Sequence, residues 1–115
     1  MPPSREWRFR VDDIVTSIDT IFTYIAGMDY DDFVADSKTR DAVVLNLAVM
    51  GEAARHVPGE IRNRHPAIEW EEMITNRNVM IHVYFGLKPQ ILWDTIHKDL
   101  PSVRSQLVTL LAKEV

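Results

Sequence analysis

The sequence predicts an all-α protein, built as an antiparallel four-helix-type bundle with short extra helices. Apolar residues recur at steps of three and four along most of the chain, which is the period of an α-helix. Alternating apolar and polar runs bounded by turns, the signature of strands, are scarce. Because the connections between the periodic stretches are short, neighbouring helices are expected to be antiparallel. The 115 residues are expected to form one domain, 1–115.

The first helix is predicted from about Phe9 to Ala26, because its apolar residues fall on one stripe. Gly27 is a natural stop for it, since glycine readily takes the left-handed conformation that ends helices. The stripe consists of Val11, Ile14, Val15, Ile18, Ile21, Phe22 and Ile25.

The next stretch, "DDFVAD", is predicted to form a short helical turn, and Ser37 or Thr39 to cap a second long helix. That helix, "TRDAVVLNLAVMGEAARHV", should end before Pro58. It is apolar nearly all round. It is therefore expected to be central, or to have one face on the core and one on a partner.

Pro58 and Pro66 predict a short helix followed by a turn. A third helix is predicted from about Glu69 to Tyr84, and Pro89 suits the first turn of a fourth. Pro101 interrupts the fourth helix and should kink it or split it at Leu100. The apolar stripe of the fourth helix is Leu92, Ile96, Leu100, Val103, Leu107 and Leu110.

Composition narrows the class of protein. The formal net charge is -4, with nine Asp/Glu and five Lys/Arg in residues 1–50 and eight of each in the remainder. An overall basic surface for nucleic acid is therefore absent, and RNA or DNA would need a local cationic cleft. The candidates for such a cleft are Arg55, Arg62, Arg64, Arg77 and Lys88. With no cysteine, no apolar leader and no long apolar run, a cytoplasmic protein without a membrane segment is expected.

The stretch "NRNVMIHVYFGLKP" at 76–89 concentrates chemistry-bearing side chains. On a helix, Arg77 and Tyr84 fall close to one line, and Asn78 and His82 form an adjacent stacked pair. Histidine can exchange a proton near neutral pH, and the arginine fork matches phosphate oxygens. These residue types suit phosphodiester cleavage, and RNA offers its own nucleophile in the 2′-hydroxyl.

The same residues also fit a plain surface helix. One histidine is too few where both an acid and a base are wanted, and a two-fold dimer would double the set. Asn46, in the middle of an apolar run, needs hydrogen-bond partners, and a structural role is favoured for it. Glu52 and His56 have a spacing that could hold a metal, but a third ligand is not evident, so no metal or other cofactor is predicted.

Together, "RNVMIH" and "HVY", with "TRDAVVLNLAVMGEAA" and "HPAIEWEEMITNRN" upstream, resemble the HEPN superfamily, and specifically its HepT-like toxin branch. The resemblance covers about residues 9–112. It implies an all-α homodimer that acts as a metal-independent endoribonuclease, with RNA as the substrate and the site in a cleft between the two copies.

Carried over by resemblance, Arg77 and His82 are the catalytic pair, Asn78 is a supporting residue and Tyr84 is the motif tyrosine. Asn46 and Glu52 are further candidates behind the catalytic pair. The implied partner is a minimal nucleotidyltransferase antitoxin, which would silence the toxin by attaching AMP to Tyr84.

Two positions depart from the pattern: Val83 replaces an acidic residue common in relatives, and Asn76 replaces an apolar one. Val83 puts the activity or the fit to a partner in doubt. The alternative function is a non-catalytic subunit that binds a nucleotide or docks the nucleotidyltransferase. A purely structural helical dimer would leave the placement of the four polar residues unexplained.

Overall fold

The computed structural model describes residues 6–75 and 88–114, and this part of the chain is helical with short connections and no strand. This confirms the predicted all-α class. The first four helices are α1 (Glu6–Ile25), α2 (Tyr30–Ala35), α3 (Ser37–Arg55) and α4 (Gly59–Arg64). Residues 70–75 are helical and are called α5; α6 (Pro89–Asp94), a π-helical segment (Thr95–Asp99) and α7 (Leu100–Lys113) follow.

Helix α1 buries the stripe that its sequence predicts. Val11, Ile14, Ile18 and Ile21 have no exposed surface, and each such side chain contributes roughly 2–3 kcal/mol through burial. The chain leaves the helix through Gly27 at φ 79°, a conformation that side chains with a Cβ rarely adopt. The predicted stop at this glycine is confirmed.

Helix α3 starts at Ser37, two residues before the predicted stretch that begins at Thr39, and its cap is Asp36 rather than Ser37 or Thr39. The Thr39 backbone N–H donates to Asp36 Oδ1 at 3.0 Å, and the Thr39 hydroxyl donates to Oδ2 at 2.8 Å. The prediction of a serine or threonine cap is therefore wrong. A carboxylate can accept both donors at once, whereas a hydroxyl at position 37 lies inside the helix.

Two prolines lie at helix starts, as the sequence predicts. Pro58 precedes the short helix α4, and Pro89 occupies the first turn of α6, where its missing N–H costs no intrahelical bond. Between α4 and α5, residues 65–69 form a turn-rich connection that includes Pro66. Of the predicted third helix, residues 69–75 lie within the described part of the chain, and residues 70–75 are helical.

At Pro101 the helix is not split. The chain instead passes through the π-helical segment Thr95–Asp99, in which the Leu100 N–H donates to the carbonyl of Thr95, five residues back. A proline cannot donate to the carbonyl four residues back and its ring crowds that carbonyl. The wider π turn directly before Pro101 accommodates both effects and lets α7 continue to Lys113.

The long helices pack around one core. Helix α1 lies mainly against α3 and also contacts α7. Near its start, Arg8 donates to the Leu111 carbonyl at 3.0 Å, and near its end Asp19 meets Arg104, so α1 and α7 run antiparallel. The core holds Phe33 from α2, Leu47 and Met50 from α3, Trp70 and Met73 from α5, and Leu92, Ile96, Leu107 and Leu110 from the last helices.

Within the residues that the structure describes, no helix combines the length and apolar character that crossing a membrane requires.

Candidate functional site

Helix α5 is the described helix that directly precedes the motif stretch in the sequence. Trp70 and Met73 are buried in the core, while Glu71 and Glu72 are exposed on the other side. Helix α5 leads in sequence directly to the motif. The motif residues Arg77, Asn78, His82 and Tyr84, and the departures Asn76 and Val83, lie outside the described residues.

The start of α5 is fixed by the connection before it. The Trp70 indole N–H donates to the His65 carbonyl at 3.1 Å, and the same carbonyl accepts the Ile68 backbone N–H at 3.2 Å. From α7, the Gln106 side-chain amide donates to the Ala67 carbonyl at 3.2 Å. The position at which α5 begins therefore depends on contacts with α7 as well as on burial of the Trp70 ring.

Beside α5 lies a cavity of about 260 Å³ between α3, the 67–73 stretch and the π-helical segment. Its apolar lining comes from Leu47 and Met50 on α3 together with other core side chains. Three acidic residues, Glu69, Glu72 and Asp99, also line it. Lys98 lines it as well, so carboxylates outnumber cations there, and an excess of carboxylates repels the phosphates of an RNA backbone.

The acids at this cavity influence one another. The hydrogen bond that protonated Glu72 donates to Glu69 raises the pKa of the Glu72 carboxyl above its ordinary value, with further contributions from burial and from the charges of Glu69 and Asp99. Two carboxyl groups this close favour sharing a proton over ionising together. This acidic group was not among the predicted site residues. The three-residue spacing of Glu69 and Glu72 could have suggested the pair, but the approach of Asp99 depends on the tertiary fold.

Asn46, a candidate from the sequence, is satisfied within its own helix. Its side-chain amide donates to the Ala42 carbonyl at 2.9 Å, four residues back on α3, and the residue is half-buried. This is the structural role that the sequence favours for it, and a bond of this kind is local to the helix.

Glu52, the second such candidate, lies in the last turn of α3. Its Oε1 accepts hydrogen bonds from Arg55 and from His56 Nε2, each at 3.0 Å. Arg55 ends α3, His56 directly follows it, and both side chains are exposed. The Glu52–His56 spacing therefore forms a local hydrogen bond, as expected from helix geometry.

The arginines that the sequence offers for a cationic cleft mostly meet carboxylates. Arg55 binds Glu52, Arg62 donates to Glu71 at 3.0 Å, and Arg64 holds Glu114 with two bonds of 2.9 Å. These pairings offset the positive charge that would attract RNA. Lys88 is exposed at the start of α6.

Within residues 6–75 and 88–114, no three or more His, Asp or Glu side chains are grouped so that they could hold a metal ion.

The chain was compared with protein-family models. The model described as ribonuclease HepT-like matches residues 14–110. The match includes the core helices, α5 and the motif stretch through Tyr84.

Similar proteins that carry names are also named as ribonucleases. The chain is 35% identical over 100 residues to a probable ribonuclease HepT from Thermococcus cleftensis, covering 87% of this chain and 91% of that one. A protein from Caldanaerobacter subterraneus, provisionally named an RNase, is 34% identical over 88% of this chain and 90% of its own. Another from Methanocaldococcus jannaschii, also provisionally named an RNase, is 32% identical over 83% of this chain and 87% of its own. No solved structure matches the chain significantly.

Proposed function

Because this chain belongs to the family of HepT-like ribonucleases, we propose that it is an endoribonuclease that cleaves RNA with Arg77 and His82. The observation that carries the proposal is the family match over residues 14–110, which spans the arginine, the histidine and the tyrosine of the motif. The chain covers nine-tenths of the first two relatives, so the comparison concerns nearly their whole length.

In the proposed reaction His82 takes the proton from a 2′-hydroxyl of RNA. The 2′-oxygen attacks the adjacent phosphorus, and the bond from phosphorus to the 5′-oxygen breaks, leaving a 2′,3′-cyclic phosphate. The departing 5′-oxygen takes a proton from an acid and becomes a hydroxyl. Arg77 stabilises the charge that builds on the phosphate oxygens, and Asn78 orients the imidazole or binds phosphate. The reaction requires no metal ion.

A second copy of the chain would supply the acid. A two-fold dimer places a second Arg77 and His82 at the same cleft, so that one histidine acts as base and the other as acid. The outer face of α3 supports this arrangement, since Leu45 is 64% exposed and Val49 is 42% exposed. The two side chains are four residues apart and therefore neighbours on the helix surface, so a second copy packed there would cover both.

The test is RNA cleavage by the purified chain in the presence of a chelator. The wild type is expected to leave a cyclic phosphate, and His82→Ala to lose activity by at least about a hundredfold, the range found for positioned acid–base groups. His56→Ala is the matched control, because His56 is exposed and bonds only within its own helix among the described contacts. Unchanged cleavage by His82→Ala would contradict the proposal.

We propose further that the partner is a minimal nucleotidyltransferase antitoxin in the cytoplasm, which silences the ribonuclease by attaching AMP to Tyr84. The added phosphate and bulk would lie beside a cleft meant for RNA phosphate. Intact-mass measurement after co-expression should show one or more added AMP units on the wild type and none on Tyr84→Phe. An unmodified wild-type chain in a tight complex would instead indicate plain blocking.

The alternative is a non-catalytic subunit that binds a nucleotide or docks the nucleotidyltransferase. The acidic balance of residues 1–50, the paired arginines and Val83 favour it. It predicts stoichiometric binding of the nucleotide or of the nucleotidyltransferase, with no RNA product at any protein concentration. Cleavage that depends on His82 excludes it.

A further inference from the structure

Two arginines and one histidine converge on the end of α7. Arg64 donates to both carboxylate oxygens of Glu114 at 2.9 Å, and His65 Nε2 donates to Oε1 at 2.9 Å. From the start of α1, Arg8 donates to the backbone carbonyls of Glu114 and Leu111. The Glu114 side chain is only 18% exposed, and His65 is similarly covered at 17%. The set Arg8, Arg64, His65 and Glu114 is called the C-terminal clasp.

The C-terminal clasp is connected to α5 through a single residue. His65 binds Glu114 with its ring, and its carbonyl accepts the indole N–H of Trp70 at 3.1 Å. Trp70 is the first residue of α5 and is 5% exposed. A carboxylate at the end of α7 is thus two hydrogen bonds away from the start of the helix that leads in sequence to Arg77.

The chemistry of the C-terminal clasp favours a fixed geometry. A guanidinium and a carboxylate that share two parallel hydrogen bonds hold their planes in one orientation, which a single lysine contact would not do. The bonds also hold the pKa of Glu114 below its ordinary value, first through His65 and then through Arg64. The Arg64 guanidinium is held from the other side by Glu60, at 3.3 Å.

We propose that Glu114, together with Arg64 and His65, is a positioning element for the ribonuclease site, setting the placement of Trp70 and hence of α5, which precedes Arg77 and His82 in sequence. This inference rests on the proposed function. Arg8 and Glu114 lie outside the residues 14–110 that the family model matches, so the family match does not account for the clasp. None of the clasp residues touches substrate in this proposal. They act by fixing where α5 begins.

The experiment compares Glu114→Ala, Glu114→Gln and Arg64→Ala with the control Lys113→Gln, which removes a charge from an exposed neighbouring side chain. Because small misplacements of a catalytic group are costly, Glu114→Ala should lower kcat for RNA about tenfold and change KM less than about twofold. Glu114→Gln keeps an oxygen acceptor and should lose less. Lys113→Gln should match the wild type.

Two further measurements separate positioning from a general loss of structure. The indole N–H resonance of Trp70 should move in Glu114→Ala and stay in place in Lys113→Gln. The kcat losses of Arg64→Ala and Glu114→Ala should not add in the double variant, because both break the same contact.

The inference is overturned if Glu114→Ala keeps both the wild-type kcat and the wild-type Trp70 resonance. It is also overturned if the fraction of activity that the variant loses equals the fraction of the variant that is unfolded. If the wild type itself cleaves no RNA, the proposed function fails. The Trp70 resonance then tests by itself whether Glu114 sets the position of Trp70. A resonance that moves in Glu114→Ala supports this connection, and an unmoved resonance refutes it.

Discussion

Asp19 on α1 accepts two hydrogen bonds from the Arg104 guanidinium on α7, at 2.6 Å to Oδ1 and 3.1 Å to Oδ2. The two residues are 85 positions apart in sequence, and their contact fixes how far the two antiparallel helices are shifted along each other. The hydrogen bond from Arg104 holds the pKa of Asp19 below its ordinary value. Both side chains are about half exposed, so solvent screens the attraction.

Replacing Asp19 with Asn should lower Tm by about 1–5 °C at pH 7, as for an exposed ion pair of good geometry. Because the folded-state pKa of Asp19 is lowered, its contribution is present above the unfolded-state pKa. It is lost progressively as pH falls from about 4 through the lowered folded-state pKa. Thermal unfolding should therefore show a smaller difference between the variant and the wild type at pH 3 than at pH 7. Asp12→Asn, on the exposed side of α1, is the control and should change neither.

The cap of α3 offers a second test. Asp36→Ala removes the acceptor of both the Thr39 backbone N–H and the Thr39 hydroxyl, and should lower Tm by about 5 °C. The same bonds hold the pKa of Asp36 below its ordinary value, so the effect should fade as pH falls below about 4. Asp31→Ala, an exposed neighbour on α2, should cost much less. Equal losses from the two variants would contradict the assignment of Asp36 as the cap.

The acidic pair beside α5 should show the opposite dependence on pH. Because the folded-state pKa of Glu72 is raised, the fold favours its protonated form at low pH, and this stabilisation is lost as pH rises through the folded-state pKa. Glu72→Gln removes the repulsion and should raise Tm by about 1–3 °C at pH 7, with no gain at pH 4. Glu71→Gln is the control, since it removes the negative charge that Arg62 contacts and should not stabilise. A gain for Glu71→Gln would disprove the role assigned to the pair.

The proposed dimer can be tested on the outer face of α3. Leu45→Glu places a charge where we expect a second copy to pack, and should weaken self-association at least about tenfold because the charge would be buried without a partner. Sedimentation velocity over a range of concentrations measures this directly. Val108→Glu, at an exposed apolar position on α7, should leave the dimer intact. A wild type that remains monomeric at all concentrations would exclude the dimer.

Local signals in the sequence predict the local features of the fold. The burial of α1 and its stop at Gly27 follow from apolar spacing and from the conformational freedom of glycine, and Pro89 marks the start of α6. The choice of Asp36 as the cap was missed because three neighbouring polar residues can all fill that role. The π-helical turn before Pro101 depends on how the flanking helices pack.

The candidate site can likewise be predicted only in part from the sequence. The sequence selects Arg77 and His82 by type and spacing, and these two residues remain predictions, because they lie outside the described residues. It also favours a structural role for Asn46, which agrees with the hydrogen bond to Ala42. Neither the C-terminal clasp nor the approach of Asp99 to Glu72 could be predicted, since each joins residues far apart in the chain.

The contact of Arg8 with the carbonyls of Leu111 and Glu114 places the beginning of α1 beside the end of α7. A short peptide linker could therefore join these two points without stretching the chain. New termini could be opened at Gly27, which is exposed in the turn after α1. The fold is thus suited to circular permutation, a rearrangement that would present α2 first and still bring α1 and α7 together.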